Sequence, residues 1–218
     1  MSLRRKKYRL YRRMKANGLR PARGFRWRTN RLGEPARATL RTYQRFVGIP
    51  QTGVFDRATM DALFPGRFAA RVVELARREV GVVESSPNWG DRVKEYLAAA
   101  GIGFPTAWCA AFCVYVLRRA GYGGPWPEKV AWVPSWASWA RATGRAVAPA
   151  AARRGDLVCI NWAGSDPTPD HIAVVTGNLG ALKRLTTVGG NEGDAVREGW
   201  RPYWQAHTVV RLAQYRRR

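Results

Sequence analysis

Apolar positions along the chain change period twice, and those changes divide it. In residues 34–47 (EPARATLRTYQRFV), Leu40, Tyr43, Phe46 and Val47 recur three to four residues apart, the spacing of one helical face. Gly48 ends that helix and Pro50 prevents its return. A Gly53 turn follows, and Asp56 stands where its carboxylate can cap the orphan amides of a second helix reaching Leu63. Leu40, Phe46, Val54, Phe55, Met60 and Leu63 are the expected core of this pair. Residues 67–80 give another amphipathic helix, with Phe68, Val72, Leu75, Ala76 and Val80 on one face. Residues 91–100 return to helix, and Phe104–Ala107 breaks it. Trp108–Ala120 then runs as a strongly apolar helix, with basic residues in its last turn and Gly121 behind it. Ser135–Ala142 is one more helix. After Gly155 the period falls to two, and strands are expected at 156–161, 171–176, 185–188 and 208–212. Helices first and antiparallel strands afterwards predict an α+β domain.

Composition adds the first 31 residues to this picture. The chain has 218 residues and a formal charge of +23, and 13 of its 38 basic residues, with no acidic one, fall in residues 1–31. Gly18, Pro21 and Gly24 interrupt the segment. It reads as a solvated basic tail with one short helix around Lys6–Lys15, suited to a polyanion. Charge does not choose among nucleic acid, anionic lipid and wall-linked phosphate polymers. No nucleic-acid recognition motif accompanies it, which argues against a specific nucleic-acid partner. The basic start has no apolar h-region after it, so no secretory signal is expected, and no run of about 18 apolar residues suggests a spanning helix.

The candidate chemistry is a thiol. Three cysteines are too few and too odd in number for a disulfide scaffold. Cys109 opens a helix directly after a breaker, where orphan amides and the helix dipole favour a thiolate. Cys113 lies one turn deeper among apolar residues, and Cys159 lies between Val158 and Ile160. Both read as core. Of the two histidines, His171 opens a strand directly after the Pro-containing loop Asp166–Asp170, a position suited to proton transfer. His207 looks peripheral. For a group to orient the imidazole, the VGGNE segment offers Asn191 first and Glu192 second. A Cys109/Cys113 pair has no further Cys or His at zinc spacing, so neither metal nor cofactor is expected. Trp108, Trp126, Trp132, Trp136, Trp139 and Trp162 flank these positions. Most are expected in the core, and some could line a glycan groove.

Two resemblances follow. LRTYQRFVGIPQTGVFDRATMDALF resembles the repeat of the small helical peptidoglycan-binding domain over about 33 residues, with the basic segment standing where that family has its first helix. AWCAAFCVYVLRRAG, RRGDLVCINW, DHIAVVTG and VGGN, in that order, resemble the CHAP-type peptidoglycan hydrolases of the wider NlpC/P60-like, papain-like class. The resemblance implies a papain-like cysteine hydrolase domain, with Cys109 as nucleophile, His171 as base and Asn191 as orienting residue. Many relatives carry Glu two positions before the Asn. Here that position is Gly189, so Asn191 must serve alone or another group such as Glu192 must be recruited. The expected layout is a basic tail at 1–30, a helical wall-binding module at 31–66 and the hydrolase domain at 67–218. The expected function is cleavage of a peptidoglycan amide bond, by an N-acetylmuramoyl-L-alanine amidase or a peptide endopeptidase. The expected setting is that of a phage endolysin, held in the host cytoplasm before release or associated with the virion. Residues 1–31 would meet anionic wall polymers or the membrane surface. The alternative is a non-enzymatic basic protein that binds the wall, the virion or nucleic acid.

Overall fold

The computed structural model describes residues 1–162 and 168–212. The described chain divides into two compact units, residues 1–66 with 123–125 and residues 67–122 with 126–212.

The first unit holds three helices: α1 (Leu3–Ala16), α2 (Glu34–Val47) and α3 (Arg57–Leu63). Leu10, Met14, Leu40, Tyr43 and Leu63 form its core, and Phe55 packs at the edge. Phe46, Val54 and Met60, expected beside Leu40 and Leu63, are only half-buried. The reading of residues 1–30 as a solvated tail is therefore corrected. Lys7, Leu10 and Met14 make a buried stripe at helical spacing, and the Lys7 ammonium is satisfied by Thr29 Oγ1 at 3.0 Å and the Arg31 carbonyl at 2.9 Å. The dense charge hid the stripe, because two apolar residues and the stem of a lysine suffice to seat a helix whose arginines stay in water. Gln44 anchors the turn between α2 and α3. Its Nε2 donates to Thr59 Oγ1 at 2.7 Å and Thr52 Oγ1 at 2.9 Å, and its Oε1 accepts from the Gly53 amide at 2.9 Å. Asp56 caps α3, as its position suggests, by accepting from the Thr59 amide at 2.8 Å.

The second unit is α+β, helices followed by an antiparallel sheet. Its helices are α4 (Pro65–Arg78, whose first turn carries the division between units), α5 (Asp91–Ala99), α6 (Cys109–Ala120) and α7 (Val133–Ala142). Its strands are β1 (Ala146–Val147), β2 (Leu157–Ile160), β3 (His171–Leu179), β4 (Arg184–Gly189), β5 (Arg197–Pro202) and β6 (Ala206–Val210). They pair antiparallel in the order β1-β6-β2-β3-β4-β5. Leu157, Cys159, Ile172, Val174, Val188 and Val210 share the main core with helix residues Phe112, Val116 and Trp136. Val158, Ile160, Ala173, Val175, Leu185 and Val209 form a second cluster with Ala152. β2 is thus buried at all four positions, which is why it reads as an unbroken apolar run.

Asp156 secures the turn into β2. It accepts from the Arg153 amide at 2.8 Å and pairs with Arg211 Nε at 3.1 Å. Burial pushes its carboxyl up to about 6, against the pull of Arg211. The loop Asp166–Asp170 and the last residues of the 67–218 segment fall in part outside the described residues. Among those described, no helix is long and apolar enough to cross a membrane.

Candidate active site

Cys109 is the first residue of α6, and the Trp108 carbonyl accepts from the Phe112 amide at 2.8 Å to start the helix. Trp108 is fully buried against Tyr96, and its indole N–H donates to Glu84 Oε2 at 2.8 Å. That anchor sets where α6 begins and so where the sulfur lies. His171 is the first residue of β3, opposite Ile160 of β2. Its imidazole lies near enough to the Cys109 thiol for that group to act on its pKa, so helix and sheet bring the two expected residues together. Cys109 is 6% exposed and His171 4% exposed, and the pair is largely screened from bulk water.

The side chain that meets the far side of the imidazole is Glu192, the second of the two candidates, and not Asn191. His171 Nε2 lies 3.0 Å from Glu192 Oε1, whereas Asn191 turns its amide away and donates to Asn88 Oδ1 at 3.1 Å. The cause is local backbone. Asn191 adopts a left-handed conformation (φ 59°), and the Glu192 amide donates to the Ala195 carbonyl at 2.9 Å. The turn therefore swings residue 192, not 191, back over the end of β4. The glycine at 189 makes the space. A Cβ there would stand 2.8 Å from the Glu192 carboxyl carbon and 3.0 Å from His171 Nε2. At Gly190 a Cβ would stand 2.6 Å from both Phe112 Cβ and the Trp108 ring. Gly189-Gly190 thus lets this strand end approach the imidazole on one side and the α6 start on the other.

Glu192 is shared. Its second oxygen accepts from Arg201 Nη2 of β5, and the Arg201 guanidinium lies over the Trp162 ring at 4.7 Å from its centroid. Trp162 in turn lies against the His171 ring, with centroids 5.2 Å apart. Burial opposes ionisation of Glu192, but the hydrogen bonds from His171 and Arg201 outweigh it and hold the carboxyl below its usual range. For His171, burial again works against charge. The neighbouring Cys109 and Glu192 side chains prevail and raise its pKa to about 9. The site is built to carry an imidazolium against the Glu192 carboxylate.

The other two cysteines behave as the sequence suggests. Both are fully buried, and burial pushes both thiols well up. Cys113 sits in the main core, with its Sγ donating to the Ile172 carbonyl at 3.8 Å. His207 lies elsewhere, beside Arg141 and Thr208. Among the described residues, no group of three or more His, Cys, Asp or Glu side chains stands close enough to hold a metal ion. Trp108 and Trp136 are core, Trp126 and Trp139 are half-buried, and Trp132 and Trp162 are exposed. Sequence reasoning passed over Arg201, Trp200 and Trp204. Arg201 had no motif to mark it. The two tryptophans lay in a polar stretch without apolar periodicity.

Residues 100–191 match the CHAP domain, and residues 22–63 match the putative peptidoglycan binding domain. The first match, apart from residues 123–125, lies within the second unit and the second within the helical first unit, in the order the two resemblances gave. No curated protein matches it. Among solved structures it is similar to the peptidoglycan hydrolase RipB from Mycobacterium tuberculosis, with 20% identity, 83% of this chain and 82% of that chain covered, and a TM-score of 0.46.

Proposed function

We propose that the protein is a peptidoglycan hydrolase that cleaves an amide bond of the wall by thiol chemistry. The observation that carries this is the buried Cys109–His171–Glu192 row, with the sulfur at a helix N-terminus. The Cys109 thiolate attacks the amide carbonyl of a stem peptide. The oxyanion accepts from the Cys109 backbone N–H, which has no partner within the first turn of α6. Trp108 is a poor second donor, because its indole N–H is committed to Glu84. With Nε2 committed to Glu192, Nδ1 is the nitrogen that serves the sulfur and then protonates the departing amine. Water, deprotonated by the neutral imidazole, attacks the thioester carbonyl and releases the carboxylate and the thiolate. Glu192 is the positioning residue, and Arg201 keeps its second oxygen occupied.

The amide cleaved is either the muramoyl–alanine bond or one within the peptide. Both present the same carbonyl to the sulfur. The helical module, together with the exposed Arg4, Arg5, Arg12 and Lys15 of α1, would hold the enzyme on the wall, the cations through anionic wall polymers or the membrane surface. The test is digestion of purified peptidoglycan with mass spectrometry of the products. Wild type should release one new class of amino terminus, which names the bond, and Cys109→Ala should release none. Full activity in Cys109→Ala, or no product from wild type, overturns the reading.

A further inference from the structure

Beyond the thiol, the second unit exposes two tryptophans at the outer edge of β5 and just after it. This strand ends the sheet, and with the turn that follows it frames a cavity of ≈ 410 Å³ lined by Gly199, Trp200, Arg201, Pro202, Trp204 and Gln205. We propose that this groove is a saccharide subsite that receives pyranose rings of the glycan strand while the attached peptide lies at Cys109. The inference rests on the hydrolase reading and adds the part of the substrate that reading leaves unplaced.

Three observations carry it. First, Trp200 is 50% exposed and Trp204 is 66% exposed, four residues apart on one short stretch. Large indoles normally bury most of their area, and here two are held in water beside one open groove. Trp200 is also fixed in place. The Arg184 guanidinium of neighbouring β4 lies 3.9 Å from its ring centroid, so the ring is oriented before any ligand arrives.

Second, the lining mixes flat aromatic area with polar groups and a glycine. A pyranose presents an apolar C–H face and a rim of hydroxyls, and this combination answers both. The Arg201 charge is already matched by Glu192, and the Arg184 guanidinium beside the lining is engaged with the Trp200 ring, so the groove offers aromatic area and hydrogen-bonding groups more than open charge.

Third, the groove is continuous with the thiol site. Arg201 lines the groove and at the same time bonds Glu192 and covers Trp162. The Gln205 amide donates to the Trp162 carbonyl at 3.2 Å. Arg201 thus belongs both to the groove and to the layer that covers His171, which suits a substrate that joins sugar to peptide in one molecule.

The experiment uses the full chain and two readouts. Calorimetric titration with tri-N-acetylchitotriose reads the groove without chemistry. Wild type should bind, and Trp204→Ala and Trp200→Ala should each weaken binding at least tenfold. Both side chains are exposed, so loss of the fold is not the expected consequence. The second readout is the ratio of kcat/KM for a glycan-bearing muropeptide to that for the matching free peptide, which should fall at least tenfold in Trp204→Ala. No chitotriose binding by wild type, or a ratio within twofold of wild type, overturns the subsite. Should wild type cleave neither substrate, the hydrolase reading fails, and the titration still decides whether the groove binds sugar.

Discussion

Replacing Glu192 with Gln tests the division of labour around His171. The carboxylate serves two donors, His171 Nε2 and Arg201 Nη2, whereas an amide has one oxygen and must abandon one of them. His171 rises from 6.5 to about 9 although burial opposes charge, which corresponds to ~3 kcal/mol in favour of the imidazolium, shared between Cys109 and Glu192. A half share for Glu192 is about 1–2 kcal/mol, so kcat/KM should fall roughly five- to thirtyfold. Losing an anionic neighbour lowers a histidine pKa. The alkaline limb of the kcat/KM profile, expected near 9 in the wild type, should therefore move down by about one pH unit. Stability has a matching signature. A raised histidine stabilises the fold fully below 6.5 and loses that contribution as pH climbs through about 9. The stability gap between wild type and Glu192→Gln should accordingly be widest near pH 6 and narrow above 8. Carbon-detected NMR of the imidazole reads the pKa directly. Only two histidines are present, and a His207→Gln variant identifies the signals. An unmoved alkaline limb together with kcat/KM within about threefold of wild type would refute the role given to Glu192.

Three further outcomes are expected. Iodoacetamide near neutral pH should label Cys109 in the native chain and spare Cys113 and Cys159, whose thiols burial pushes up; mass spectrometry showing equal labelling of all three would contradict this. Gly189→Ala should cost about 1–3 kcal/mol and most of the hydrolytic activity, since its methyl group meets the Glu192 carboxyl and the imidazole; denaturant titration and muropeptide turnover check it, and wild-type turnover would show the packing to be wrong. Gln44→Leu should destabilise the first unit by about 2–4 kcal/mol, because the Gly53 amide and two hydroxyls lose their partner. Hydrogen exchange of the full chain should then show lost protection over residues 34–63 and little change at residues 171–176.

Local chemistry was enough to read much of this protein from its sequence. Helix starts and stops depend on caps and breakers a few residues away, so α2, α3, α5 and α6 could be placed, with Asp56 as a cap and Cys109 at a helix mouth. The period of apolar residues marked β2, β3, β4 and β6. What failed was whatever depends on a distant neighbour. α1 looked like a tail because its seat is made by Leu40, Tyr43 and Leu63, far along the chain. β5 is polar and marked by no period, and only its pairing with β4 makes it a strand. The choice of Glu192 over Asn191 turned on a left-handed backbone and on the empty side of Gly189, neither of which one-dimensional spacing encodes. Sequence therefore determined which residues could do chemistry. Tertiary structure decided which of them meet, because a contact between side chains 21 residues apart is set by the sheet register and the turn that join them.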